Sequence, residues 1–163
     1  MATTTTVGAV KRALQTELVA LGITTATATA SPLVQVTYGR PAPDLYRRES
    51  LFQGGDTRTN GPPEMRLTAG RRRRMWEWSW DLVASAEITA DTSDAEDRAL
   101  QIAAAVDTWL AAYPQPAEWP NAPVTSGALS LLVVAMQMEI GATVEGRQRV
   151  EVTMTLEMRE RLT

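Results

Sequence analysis

The sequence predicts an α+β fold: a single small mixed or antiparallel β-sheet with two helices packed on one face and a long protruding arm between the first two strands. Two stretches place apolar residues three and four apart, the spacing of an amphipathic helix. Several others alternate apolar and polar residues with a period of two, the signature of a half-buried strand. Between them, from Gly39 to Arg74, five glycines and four prolines interrupt any period. A length of 163 residues suits one domain with a single core. The expectation is one domain over 1–163, with the arm at about 39–74.

Residues 1 to 6 are a threonine-rich lead. Val7, Val10, Leu14, Leu18 and Leu21 then form one stripe of the first helix, with Lys11, Arg12, Gln15 and Glu17 expected on the solvent side. Gly22 stands where a glycine cap ends a helix. The segment ITTATATAS reads as a loop or weak edge strand. Leu33 to Tyr38 reads as the first strand, broken by Gly39 and Pro41. In the arm, Leu45, Tyr46, Leu51 and Phe52 are candidates to pin part of it, and Asp56 to Pro63 reads as its tip. A connection this long inside a compact domain is usually functional or disordered.

Arg71 to Ile88 (RRRRMWEWSWDLVASAEI) is the most strongly patterned stretch. Trp76, Trp78, Trp80, Leu82, Ala84, Ala86 and Ile88 fall on one face, and Glu77, Ser79, Asp81, Val83, Ser85 and Glu87 on the other, mostly polar face. Three tryptophans in register bury a large area, so this strand is expected in the middle of the sheet. Ser93 and Glu96 match a capping box ahead of the second helix, whose buried stripe is Ala99, Ile102, Ala103, Val106, Leu110 and Tyr113. Pro114 ends it, and four prolines between 114 and 127 make a rigid connection. Leu129 to Ile140 reads as an apolar strand and Gly141 to Gly146 as a hairpin loop. The last strand places Val150, Val152, Met154, Leu156 and Met158 on its buried face.

Composition narrows the chemistry. There is no cysteine, so disulfides and thiolate metal sites are excluded. There is no histidine either, which removes the commonest general base and metal ligand and every Ser-His-Asp or Cys-His arrangement. No apolar run has the length of a membrane-spanning helix, and no signal peptide is read at the N-terminus. The net charge of −3 hides a division. Residues 39 to 74 hold nine arginines against four acids, about +5, while the rest holds seven basic and fifteen acidic residues, about −8. A chain divided in this way suits head-to-tail packing against copies of itself, or a basic surface for an acidic partner.

The candidate functional groups are weighed against plainer roles. Arg71, Arg72, Arg73 and Arg74 have the chemistry to grip phosphate, but in a strand they alternate between faces, and a solvated strand extension explains them as well. The tryptophan row has the form of a base-stacking platform, but its continuation through Leu82 and Ala84 reads better as core. Asp91, Asp94, Glu96 and Asp97 suit a helix N-terminus better than a cation site. Glu77 and Asp81 share a strand face and are expected to pair with nearby arginines rather than to act as a hydrolytic pair.

The order of elements resembles the tail-terminator (tail-completion) proteins of long-tailed bacteriophages. The points of resemblance are the VGAVKRALQTELVALGI helix, the LVQVTYGRP strand entering a long arm, the MWEWSWDLVASAEI strand, the DAEDRALQIAAAVDTWLAAYP helix and the closing pair of strands ending RVEVTMTLEMRERL. The resemblance implies a structural, non-enzymatic virion protein without a cofactor or metal. It implies assembly in the host cytoplasm into a self-associated ring, hexameric in such families. That ring caps the tail tube protein and joins it to the head-tail connector or head-completion protein. DNA passes through the lumen without sequence-specific contact, and no membrane is involved. The expected contact residues lie on the arm: Arg40, Arg47, Arg48, Arg58, Arg66 and Arg71 to Arg74. Other readings are another neck or head-tail connector subunit, and a nucleic-acid-binding module.

Overall fold

The computed structural model describes residues 6–25, 33–59, 67–68, 71–72, 74–89, 92–125, 127–141 and 147–162. Two helices, α1 (Val7–Leu21) and α2 (Thr92–Ala112), pack on one face of a five-stranded sheet. The sheet comprises β1 (Gln35–Thr37), β2 (Glu49–Thr59), β5 (Arg74–Thr89), β6 (Ala128–Ile140) and β7 (Arg147–Leu162), in spatial order β1-β2-β5-β7-β6. A separate two-stranded ribbon pairs β3 (Leu67–Thr68) with β4 (Arg71–Arg72). β1 runs parallel to β2, and the other pairs of the main sheet are antiparallel.

The tryptophan strand, β5, is the middle strand. Its ladder with β7 runs unbroken from Arg74↔Leu162 to Thr89↔Arg147. Alternation then sets two faces. Trp80, Leu82, Ala84 and Ala86 lie opposite Leu156, Met154, Val152 and Val150, all buried under the helices. The alanines of α2 (Ala95, Ala99, Ala103) let it approach the sheet closely, with Ile102, Val106 and Leu110 filling the space between. α1 contributes Val10, Ala13, Leu14 and Leu18. Gly22 ends α1 as expected, at φ 62°, with its N–H donating to the Val19 carbonyl.

Several expectations change. The first leg of the arm is itself a strand of the sheet: β2 pairs with β5 from Glu49↔Ala86 to Thr59↔Trp78, with an irregularity between Gly54 and Arg58. Leu51 and Phe52 are buried as expected, while Leu45 is exposed. α2 begins at Thr92, so Ser93 lies within its first turn rather than before it. Tyr113 falls one residue beyond α2 and is exposed. Glu17 is buried, not on the solvent side. Its carboxylate accepts bonds from the Asn121 N–H (2.7 Å), Asn121 Nδ2 (2.9 Å) and the Ala122 N–H (2.6 Å), tying α1 to the proline-rich connection. The expected arm tip falls partly, and the 141–146 loop mostly, outside the described residues.

That connection is well packed. Trp119 is buried, its indole N–H donating to the Tyr113 carbonyl (2.9 Å). The Leu131 N–H donates to the Pro114 carbonyl (2.8 Å), which fixes the start of β6 beside the end of α2. A carboxylate from β7, Glu160, is buried and accepts bonds from the Thr6 N–H (3.0 Å) and Thr6 Oγ1 (2.7 Å). It places negative charge at the positive end of the α1 dipole, where the Thr6 side chain itself makes no capping bond.

Candidate assembly surface

The face of the sheet away from the helices is polar, and its centre is crossed by residues 38–48, which join β1 to β2. This crossing covers Phe52 and Val83, opposite neighbours on that face. The Arg40 guanidinium lies 4.8 Å from the Phe52 ring centre, and the Tyr46 ring meets Phe52 edge-on at 5.7 Å. Arg40 also grips Glu151 through both nitrogens (2.9 and 3.0 Å), and the Tyr46 hydroxyl donates to the same carboxylate (2.9 Å). Arg149 stacks on Tyr46 at 3.7 Å and donates to Ser85 Oγ, Glu87 and the Arg47 carbonyl.

This network shifts the acid–base behaviour of its members. Burial pushes the Glu151 carboxyl up, but the hydrogen bonds from Arg40 and Tyr46 and the charges of Arg40 and Arg149 outweigh it and hold it below its ordinary range. The hydrogen bond to Glu151 raises Arg40. Burial is the first cause of the raised Tyr46 phenol. Every group named here has a partner within the chain, so the cluster clamps the crossing to the sheet.

The arginines expected to reach a neighbour are thereby divided. Arg40 pairs with Glu151, and Arg58 pairs with Asp81 at 3.4 Å. Arg47 is exposed beside β1, and its backbone N–H donates to Gln35. The Arg48 carbonyl accepts from the Glu87 N–H and holds the start of β2 against β5. The backbones of Arg71, Arg72 and Arg74 lie in β4 and β5. Arg66 and Arg73 lie outside the described residues. Glu77 pairs with Arg159 (3.3 Å), so Glu77 and Asp81 are each engaged by an arginine, as is Glu87 of the same face by Arg149. Among the described residues no group of three or more acidic side chains is placed to hold a metal ion.

The tryptophans divide too. Trp80 is fully buried, with its indole N–H donating to Gln53 Oε1 (2.9 Å). Trp76 and Trp78 are half-buried and stacked at 5.9 Å toward the far end of β5.

A different surface is the least expected of a single chain in water. β6 is an edge strand, paired on one side with β7. Met136, Met138 and Ile140 lie opposite Met154, Val152 and Val150, on the face the helices cover elsewhere. Yet these three, with Leu132 and Val134, are between 41% and 51% exposed. A near-continuous apolar run reads as a strand buried on both faces. Here it stands at the end of the sheet, with no second ladder partner among the described residues. Soluble proteins usually blunt such an edge with charge, proline or a covering element, and β6 carries one charged residue, Glu139. The signal was present in the sequence, as an apolar strand without alternation. What the sequence did not reveal was its place at the end of the sheet.

No protein-family model matches the chain, and no curated protein matches it.

Proposed function

We propose that the protein is a structural subunit of a phage-tail assembly, of the tail-terminator type. Copies of it form a closed ring that caps the tail tube and meets the head-tail connector, with DNA passing through. The observation that carries this reading is β6, an apolar edge strand that a lone subunit leaves in water. Association with further copies removes that surface from solvent, and a contact between unlike surfaces closes into a ring when its rotation permits. The arrangement of two helices on one face of a mixed sheet accords with the resemblance. The in-chain pairing of Arg40 and Arg58 favours assembly over a phosphate-binding surface.

The test is native mass spectrometry and negative-stain microscopy of the purified protein, together with its location and copy number in intact particles. The expected result is a ring of fixed copy number at the head-proximal end of the tail. A strict monomer at high concentration that is also absent from purified tails rejects the reading. A position elsewhere in the neck moves the assignment to an adjacent connector subunit.

A further inference from the structure

One section of β6 fits a second copy of itself. The first part of the strand is already occupied on its outer side, because the Leu131 N–H points away from β7 and donates to the Pro114 carbonyl. An irregularity between Val133 and Ala135 then shifts the pairing by one residue. From Ala135 to Ile140 the ladder with β7 is regular, and the Gly141 N–H continues it by donating to the Arg149 carbonyl. In an antiparallel ladder, residues that bond to the partner strand alternate with residues whose backbone groups point the other way. Gly141 bonds toward β7, so Met136, Met138 and Ile140 turn their N–H and C=O groups outward. Among the described residues no strand lies beyond them.

We propose that two copies of the free protein pair along this section, antiparallel about a two-fold axis at Met138, and join their sheets edge to edge. Three features single out a second copy as the occupant. The first is backbone register. About this axis Met138 meets Met138 and Met136 meets Ile140, so residues with outward backbone groups meet one another. The second is facial parity. Facing residues in a ladder project to the same side of the sheet. Met136, Met138 and Ile140 belong to the helix-covered side but are exposed there, so apolar side chains meet apolar ones and leave water.

The third is the polar side, where Gln137 and Glu139 lie opposite Thr153 and Glu151 of β7. In the proposed register Gln137 of each copy faces Glu139 of the other, which gives each carboxylate an amide donor. Moving the axis to Glu139 opposes the two carboxylates, an unfavourable pairing. Moving it to Gln137 leaves Glu139 opposite Ala135. The strand has no proline and no second charge to resist the pairing. This goes beyond the ring reading and stands apart from it. A two-fold contact is closed, so the pair covers both edges and recruits no third copy through them. A ring that uses β6 forms only once the pair separates, and the pair keeps the apolar edge of unassembled protein out of water.

The absence of cysteine allows a direct test. Met138→Cys sets one thiol of each copy across the axis, where facing Cα atoms about 5.5 Å apart are within disulfide reach. Ile140→Cys holds its two thiols roughly 14 Å apart along the ladder, beyond that reach. On mild oxidation Met138→Cys is expected to give a disulfide dimer and Ile140→Cys little, while Ile140→Cys mixed with Met136→Cys gives a mixed dimer. Sedimentation of the unaltered protein is expected to show a monomer–dimer equilibrium. Gln137→Glu, which opposes acidic side chains twice, should weaken it about tenfold with an unchanged circular dichroism spectrum. Equal dimer yields from Ile140→Cys and Met138→Cys overturn the proposal, as does a strict monomer that forms no Met138→Cys disulfide. A ring in particles beside such a monomer leaves the ring reading standing. A pair formed by a protein absent from tails rejects the ring reading and leaves the pair standing.

Discussion

Glu17→Ala tests how the edge strand is held in place. The Glu17 carboxylate is buried on α1 and receives three donors from Asn121 and Ala122 at 2.6–2.9 Å. A hydrogen bond to a charged acceptor stabilises by about 1.5–3 kcal/mol net. The three bonds share one carboxylate and are not additive, and the cost of burying its charge offsets part of the gain. Truncation is therefore expected to cost about 2–4 kcal/mol, since it also leaves the part-buried Asn121 and Ala122 N–H groups without this acceptor. For a domain of this size each kcal/mol moves Tm by about 2–4 °C, so a fall of roughly 5–15 °C is expected. Urea titration followed by circular dichroism gives the free energy. Hydrogen exchange should show residues 114–125 opening first, because the tie to α1 is what is lost. Glu17→Gln keeps one acceptor and should cost about half as much. A loss below about 0.5 kcal/mol for Glu17→Ala, within the range of an ordinary surface substitution, refutes this account of the connection.

Three further expectations concern the fold. Trp80→Ala removes the largest fully buried side chain and takes the indole donor from Gln53 Oε1, and should cost about 3–5 kcal/mol by chemical denaturation. Gly127→Ala should cost about 1–3 kcal/mol, because φ is 84° and the new Cβ would lie 2.8 Å from the Arg161 carbonyl oxygen, a backbone atom that cannot swing aside. Glu151 has its folded-state pKa depressed, so its stabilisation is present above the ordinary carboxylate range and is lost as the pH falls through that range toward the lower folded value. Acid titration of Glu151→Gln should accordingly show a shallower loss of stability over that window, from a lower starting point at neutral pH.

Regular alternation was the most legible feature. β5 and β7 place their apolar residues on one face over many pleats, and Trp80, Leu82, Val152, Met154 and Leu156 are buried as the period of two requires. The stripe of α2 was equally clear through Leu110 and failed only at Tyr113, just past the helix end. β2 was missed because its pattern is broken from within. Gly54 and Gly55 sit at an irregularity, with Gly55 at φ 69°, and polar residues occupy buried positions. Glu49 is buried against Arg98, and Gln53 is buried between Trp80 and the Lys11 carbonyl. Their partners are remote in sequence, so local pattern carries no trace of them. The same holds for Glu17, whose acceptor role depends on Asn121 and Ala122. The arginines drew attention as a local cluster, whereas the ion pairs of Arg40 and Arg58 were set by a crossing and a strand pairing that only the folded chain reveals.

The position of β7 between β5 and β6 has a consequence for the order of events during synthesis. β6 is made before β7, yet among the described strands β7 is its ladder partner. While the ribosome is still adding residues 147 to 162, β6 lacks this ladder partner, and among the described strands the sheet ends at β5. The apolar edge is therefore presented in its final form by a chain whose own sheet has closed.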